Sequence, residues 1–470
     1  MEVKDITNRD VDFAKWYTDV VRKANLVDYS NTKGSMIICP YGYAIWENMV
    51  KVLDDEFKKT GHQNVQMPMF IPESLLNVEK EHVEGFAPEV AWVTMGGEEK
   101  LAERLCIRPT SETLFCEYYK KVINSYRDLP KLYNQWCTIV RWEKTTRPFL
   151  RSREILWQEG HTMHATEAEA REETLRMLHV YEDFQKNYLA IPVITGRKTE
   201  KEKFAGAVET YTLEAMMYDG YALQNGTSHY FGNHFASSFG IQFLDKDSTL
   251  KTPYQTSWGS STRMIGGLIM THGDDRGLVL PPKIAPIEVD IIPIGDVSTE
   301  LNKIEDNLRL NDLTYTVDTT DKTPGFKFAE AEVKGYPVRL ELGARDLKDG
   351  FVTLVRRDTL EKIKVTNIAD ISSVIKPLLE EIQNNLYNRA LERRNSMIYK
   401  ASNYEEFKDI AAHKSGFIKI NWCGDEACEN KIKDETGLKS RCIIDNEKTD
   451  DVCCVCGKPS KCKIYFGRQY

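Results

Sequence analysis

Apolar residues between Tyr43 and Phe57 recur at helical spacing (Ile45, Trp46, Met49, Val52, Leu53, Phe57), and Gly61 then supplies a stop. That pattern predicts a long amphipathic helix. The next stretch, Asn64 to Leu76, loses the period and reads as extended. Pro68 within it cannot donate to a central ladder, which places the stretch at an edge or an interface. Helical spacing returns from Glu167 to Lys186, through Leu175, Leu178, Val180 and Phe184. Between these two helices the period drops to two. In "QWCTIVRWE", Cys137, Ile139, Arg141 and Glu143 share one face and Trp136, Thr138, Val140 and Trp142 the other. In "REILWQEGH", Arg153, Ile155, Trp157, Glu159 and His161 lie together. Two strands joined by the basic loop Lys144 to Ser152 predict an antiparallel hairpin bearing Arg141, Arg147, Arg151 and Arg153.

Further along, Pro281, Pro282 and Pro286 separate two apolar runs and mark a domain boundary. Beyond it "IEVDIIPI", a helical stretch from Asn302 to Leu310, "TYTVD", "PVRLELG" and "FVTLVRR" alternate strand and helix signals, the pattern of a small α/β domain. A charged helical segment from Ile371 to Lys400 leads into a cysteine-rich tail.

Composition narrows the setting. A chain of 470 residues exceeds one compact core, so several domains are expected. Hydrophobic content of 41% with 29% charged residues is that of an ordinary soluble protein. No run of about 18 apolar residues appears, and "MEVKDITNRDVDFAKW" lacks a secretory pattern, so the expected setting is the cytoplasm without membrane attachment. Eleven cysteines there are expected as thiols or metal ligands. With a net charge of -8, nucleic acid has to be held by local basic patches.

The hairpin is such a patch. An anion across it would meet Arg141 from the strand and Arg151 from the loop, each able to grip a phosphate with a forked pair of hydrogen bonds. Glu143 could accept from an amino group of the same ligand, so the site suits a nucleotide. A lone Arg-x-Glu is more often a solvated surface pair; its neighbours decide.

The stretch Thr138 to His161 resembles motif 2 of the class II aminoacyl-tRNA synthetases. Together with its neighbours it resembles the prolyl-tRNA synthetases of the archaeal and eukaryotic-like type. "GSMIICPYGYAIWENMVKVLDDEFKKTGHQNVQMPMFIPESLL" is similar to motif 1, the homodimer interface of the class, with Pro68 as its proline. "EGFAPEVAWVT" and "RPTSET" match prolyl-specific signatures, "GTSHYFG" matches the amino-acid pocket, and "SWGSSTRMIGGLIMTHGDDRGLVLPP" matches motif 3. The resemblance implies an α/β multidomain protein. Its parts would be an antiparallel catalytic sheet flanked by helices (1–283), an α/β anticodon-binding domain (284–385), and a helical linker with a small α+β zinc-binding-like domain (386–470).

The implied reaction ligates L-proline to tRNA(Pro) through a prolyl-adenylate made from ATP with Mg2+. Arg141 is implied to be catalytic and to touch both proline and ATP. Thr110, Glu112, His229, Phe86 and Trp157 are implied for proline; Glu143, Arg151, Gln224, Thr227, Ser261 and Arg263 for ATP. Two departures stand out, since Ile155 occupies the place of a Phe that stacks on adenine and Ala331 that of a Trp. Glu332 and Arg339 fall where the family reads anticodon guanines, while by themselves they would also suit a solvated cross-strand pair. Cys423, Cys428, Cys453, Cys454 and Cys456 suit a tetrahedral thiolate site for structural Zn2+. The adjacent pair leaves the choice open on chemistry alone; the resemblance selects Cys423, Cys428, Cys454 and Cys456, and it implies that Tyr470 tucks against the catalytic domain. Motifs 2 and 3 lie too close for the editing insertion of bacterial-type relatives, so hydrolysis of misacylated tRNA in cis is not expected. The alternatives are a silent synthetase-like tRNA-binding protein, or a related enzyme for threonine, serine or glycine.

Overall fold

The computed structural model describes residues 6–78, 90–445, 447, 449 and 451–470. Phe86, the implied proline-ring wall, lies outside the described residues.

Helix α1 (Phe13–Lys23) is capped by the Asp12 side chain. Helix α2 (Pro40–Lys59) begins with proline in its first turn and ends before Gly61, whose φ of +88° suits glycine. Its buried face, Ile45, Trp46, Met49, Leu53 and Phe57, follows the predicted stripe. The segment after it is extended at Gln63–Asn64 and Phe70–Pro72, but Glu73–Leu76 forms one helical turn, with Pro72 at its N-terminus. After α3 (Glu112–Val122) come β1 (Lys131–Val140) and β2 (Glu154–His164), then α4 (Glu167–Asn187), opened by a capping box between Thr166 and Glu169. Helix α4 buries Met177, Leu178, Tyr181 and Phe184 and leaves Leu175 39% exposed, so Leu175 lies off the core stripe that its spacing suggested.

Strands β3 (Val193–Arg197), β4 (Glu209–Met216), β5 (Ala222–Gly232) and β6 (Tyr254–Ser261) complete the central sheet, and α5 (Arg263–His272) follows directly. The spatial order β3-β4-β5-β6-β2-β1 is antiparallel throughout, and Gln63–Asn64 pairs parallel to the outer edge of β1. Helices α2 and α4 cover one face, packing Phe57 and Tyr181 against Trp258 of β6. Gly160 of β2 lies under that indole; a Cβ there would come 2.1 Å from Trp258 Cζ2. The opposite face is left open between strands and loops.

A second sheet, in the order β8-β7-β9-β10-β11, holds β7 (Val289–Ile294), β8 (Tyr315–Val317), β9 (Val338–Gly343), β10 (Val352–Arg356) and β11 (Lys362–Val365). Parallel pairing of β7 with β8 and β9 requires crossovers, supplied by α6 (Ser298–Leu310) and α7 (Pro324–Lys334). The long α8 (Ser372–Ser396) leads to β12 (Ile398–Lys400), α9 (Tyr404–His413), β13 (Phe417–Trp422), α10 (Glu426–Thr436), β14 (Lys439–Ile444) and β15 (Cys462–Gly467). These last strands extend the central sheet, because β14 pairs with β3 through Ile443 and Arg197. The final residue folds back as well: the Tyr470 N–H donates to Ala222 O at 3.1 Å and its hydroxyl donates to Asp219. Among the described residues no helix is long and apolar enough to cross a membrane.

Candidate active site

The open face of the sheet holds a cavity of about 980 Å³, including its solvent-open mouth. The hairpin forms one wall. Cys137 pairs with Trp157 and Ile139 with Ile155, so the two alternations stay in phase and Ile139, Ile155, Trp157, Glu159 and His161 all face the cavity. Arg141 lies one residue beyond β1, held by its N–H to Arg153 O at 2.9 Å, and keeps the same facing. The other wall needs a change of phase. Strand β5 carries an extra residue, Asn225, because Leu213 pairs with Gly226 and Glu214 with Gln224. This bulge lets Gln224, Thr227 and His229 share one face, which strict alternation forbids.

At the mouth stand guanidinium groups. Arg141 Nε donates to Pro109 O at 3.2 Å, and its head lies 5.4 Å from the centre of the Trp157 ring. Arg263 Nε donates to Leu150 O at 3.4 Å. Burial, then the like charges of Arg141 and Arg151, push Arg263 down to about 10, while Glu143 and Glu214 pull the other way. It therefore stays charged at neutral pH. Cations gathered against mutual repulsion favour a bound polyanion. Arg151 lies outside this lining and pairs with Glu143 at 3.6 Å.

At the inner end the charge is reversed. Glu112 opens α3 and is 3% exposed; it accepts from Thr110 Oγ1 at 2.6 Å and from Ser257 Oγ at 3.4 Å. Ser111, between Thr110 and Glu112, donates to Glu159, which also accepts from Gln135 Nε2 at 2.6 Å and contacts His161 Nε2 at 2.9 Å. Burial alone would raise the Glu159 carboxyl, but His161, Ser111 and Gln135 together hold it below the ordinary range. Glu159 thus fixes the loop on which Thr110 and Glu112 sit. The Trp157 indole is oriented by its N–H to Cys137 Sγ at 3.2 Å. A cation fits beside Glu112 and an apolar ring beside Trp157.

His229 contacts Thr210 Oγ1 through Nδ1 at 3.0 Å and lies 4.6 Å from the Phe204 ring. Burial, then His161, push it down to about 3; burial likewise takes His272 to about 3 and His164 to about 4. These imidazoles are neutral in the folded chain and protonate near 6.5 once unfolded, so the unfolded state binds more protons as pH falls. Urea unfolding should therefore show a net fall in stability as pH drops below about 6.5, each histidine contributing up to about 1.4 kcal/mol per pH unit, while Asp290, whose carboxyl burial pushes up to about 7, offsets one of them over the same range.

One cavity thus gathers Thr110, Glu112, Arg141, Ile155, Trp157, Gln224, Thr227, His229, Ser261 and Arg263 from separate stretches; Glu143 and Arg151 stand outside its lining. Sequence reasoning passed over Glu159, His161 and Ser257, and also Lys198, Glu202 and Phe204. The first two lay on the face already read from β2. The last three sit on a connection with no period to betray them.

Two further predicted clusters are brought together differently. The sulfurs that converge are those of Cys423, Cys428, Cys453 and Cys456, all within 4.8 Å of one another. Cys454 is not among them, which corrects the set chosen by resemblance. Cys453 and Cys456 flank a tight turn in which the Gly457 N–H donates to Cys453 O at 2.9 Å and Gly457 takes a φ of +70°. Thiols three apart then point the same way. Cys454 turns into the core, where burial, Cys453 and Glu406 push its thiol up to about 12. Sulfurs at the corners of a tetrahedron with metal–sulfur bonds of about 2.3 Å would be about 3.8 Å apart. Cys423 lies 3.7 Å from both Cys428 and Cys456, so the donor set fits a metal ion.

Glu332 of α7 and Arg339 of β9 are paired at 3.1 Å, and Arg339 also reaches Glu341 at 3.0 Å. At 8% and 6% exposure this is a buried helix-to-strand pair, not a solvated one across two strands.

Three family models match in order: "tRNA synthetase class II core domain (G, H, P, S and T)" over residues 92–272, "Anticodon binding domain" over 288–378, and "Prolyl-tRNA synthetase, C-terminal" over 404–470. A proline–tRNA ligase of Lachnospira eligens is 59% identical over 473 residues, covering 100% of this chain and 98% of the relative. One from Clostridium novyi is 58% identical, again over 100% of this chain and 98% of the relative. The crystal structure of prolyl-tRNA synthetase from Cryptosporidium parvum, complexed with halofuginone and AMPPNP, superposes with a TM-score of 0.95 at 40% identity over 99% of each chain.

Proposed function

We propose, given that this chain belongs to the prolyl-tRNA synthetase family, that its cavity binds proline at the Glu112 end and ATP at the arginine end. The activity is the ATP-dependent ligation of proline to tRNA(Pro). The convergence of Glu112, Arg141 and Arg263 in one cavity supports this polarity, because it sets a carboxylate for the ammonium opposite cations for carboxylate and phosphates.

Proline's carboxylate, already ionised at neutral pH, attacks the α-phosphorus in line; a P–O bond forms to the carboxylate and the bond to pyrophosphate breaks. In the second step the terminal ribose hydroxyl of the tRNA attacks the carbonyl carbon and AMP departs. The first step needs no protein base, so catalysis rests on position and charge. Arg141 bridges the proline carboxylate and the α-phosphate. Arg263 packs on the adenine face with Ile155 as an apolar neighbour, Gln224, Thr227 and Ser261 contact the nucleotide, and Arg151 with Glu143 at the mouth meets its outer phosphates and amino group. Thr110 and Glu112 hold the secondary ammonium, while Trp157 and His229 border the ring. Mg2+ accompanies ATP and offsets its charge. Pyrophosphate exchange across a panel of amino acids tests the assignment: proline alone should support it, exchange with threonine, serine or glycine would overturn the substrate, and silence with all of them would leave a binding role.

Parts 1–283, 284–385 and 386–470 serve as catalytic, anticodon-binding and metal-bearing units. Separate apolar cores in the second and third support that division. Glu332 and Arg339 present preoriented groups to anticodon guanines, as carboxylate and guanidinium suit those base edges. Two copies pair through motif 1, where Tyr43, Met69 and Phe70 are exposed apolar groups. The connection between β2 and β6 is occupied by α4, β3, β4 and β5, so rejection of alanine falls to the pocket. The reaction is cytoplasmic. Zinc occupies the four-sulfur cluster and, with every position taken by protein, serves structure. Elemental analysis should find about one zinc per chain in the native protein and in Cys454→Ser, and a marked loss in Cys453→Ser.

A further inference from the structure

The connection between β3 and β4 supplies Lys198, Glu202 and Phe204 to the inner wall of the cavity. It lies outside the sheet ladder, and side chains from the far end of the sequence hold it. Thr199 Oγ1 donates to Glu429 Oε1 at 3.0 Å, across 230 residues. Ser440 of β14 donates to that same oxygen, and its hydroxyl lies 3.5 Å from that of Thr199. Lys201 bonds Asn430, the next residue of α10. Thr199, Glu429 and Ser440 are 2%, 4% and 1% exposed. Beside them Lys198 Nζ reaches Glu214 Oε1 at 2.7 Å, while Arg441 of β14 stands 3.7 Å from the other oxygen of Glu214.

A carboxylate buried against two hydroxyls is expensive to keep where an apolar contact would pack as well. What it supplies is a fixed position. Thr199 in turn fixes the start of the wall: its own oxygen accepts the Glu202 N–H at 3.3 Å, and its carbonyl accepts the Lys203 N–H at 3.0 Å. Phe204 follows at once, against His229.

We propose that Glu429 is a positioning residue for the proline pocket: gripping Thr199, it sets the Lys198 to Phe204 wall and makes the cysteine-bearing module part of the amino-acid site. This rests on the assignment of the inner cavity to proline. The full-length chain is assayed by pyrophosphate exchange with proline and ATP varied separately. Glu429→Ala should raise KM for proline about tenfold, the equivalent of one buried hydrogen bond, with kcat and KM for ATP unchanged within about twofold. Glu429→Gln, which keeps an acceptor oxygen, should restore most of the affinity. Thr199→Val breaks the same contact from the catalytic side and stands in should Glu429→Ala fail to fold; the double variant should be no worse than either single one. Equal changes in kcat and both KM values, additive effects, or an unmoved proline KM in folded variants would overturn the inference. Glu112→Gln run in parallel separates the two readings. If it alone moves the proline KM, the pocket stands and the positioning role falls; if neither moves it, the pocket assignment falls and the role with it.

Discussion

Replacing Arg141 by alanine is expected to lower kcat/KM for proline-dependent pyrophosphate exchange by about 1000-fold, and replacing it by lysine by about 100-fold, with thermal stability unchanged within a few degrees. The guanidinium is the cavity's one group proposed to touch both reactants, and it gains most where charge moves from carboxylate to phosphoryl oxygens. A lysine restores the charge but not the fork, so it can serve one anion at a time. Stability should hold because Arg141 is only half-buried and its repulsion of Arg263 disappears with it. The same relief should strengthen the hold of Arg263 on its proton. A loss below about tenfold would remove Arg141 from the reaction and leave the mouth of the cavity a phosphate-binding surface only.

The hairpin was legible because no bulge intervenes: Cys137 to Trp157 and Ile139 to Ile155 keep the alternation intact up to Arg141. Strand β5 defeats the same reasoning. From Gln224, period two selects Gly226 and Ser228 and hides Thr227 and His229; only resemblance to known motifs reached them, and the extra residue Asn225 supplies the physical reason. The choice between Cys453 and Cys454 turned on a tight turn that composition does not reveal. Leu175 satisfied helical spacing yet lies off the packed stripe, since spacing marks a wide face and the neighbours decide its edge. The wall from Lys198 to Phe204 was least legible of all. Its order comes from Glu429 and Ser440, whose separation in sequence leaves no local trace.

Glu112→Gln should cut kcat/KM for proline by about 100-fold, chiefly through KM, while KM for ATP stays within about twofold. The substitution keeps the shape and an acceptor for the Thr110 hydroxyl, so what it removes is the charge. The carboxylate is 3% exposed and lines the cavity beside Thr110 and Ser257, where a bound ammonium would meet its charge directly. That ammonium is common to proline and alanine. In the proposed pocket the methylenes that tell them apart would lie against Trp157 and the wall carrying Phe204, and not against Glu112. Both substrates should therefore weaken together, leaving the preference for proline over alanine within about threefold of its original value. A variant that loses proline and keeps alanine would mean that Glu112 reads the ring itself, and the ammonium would then have to sit elsewhere in the cavity.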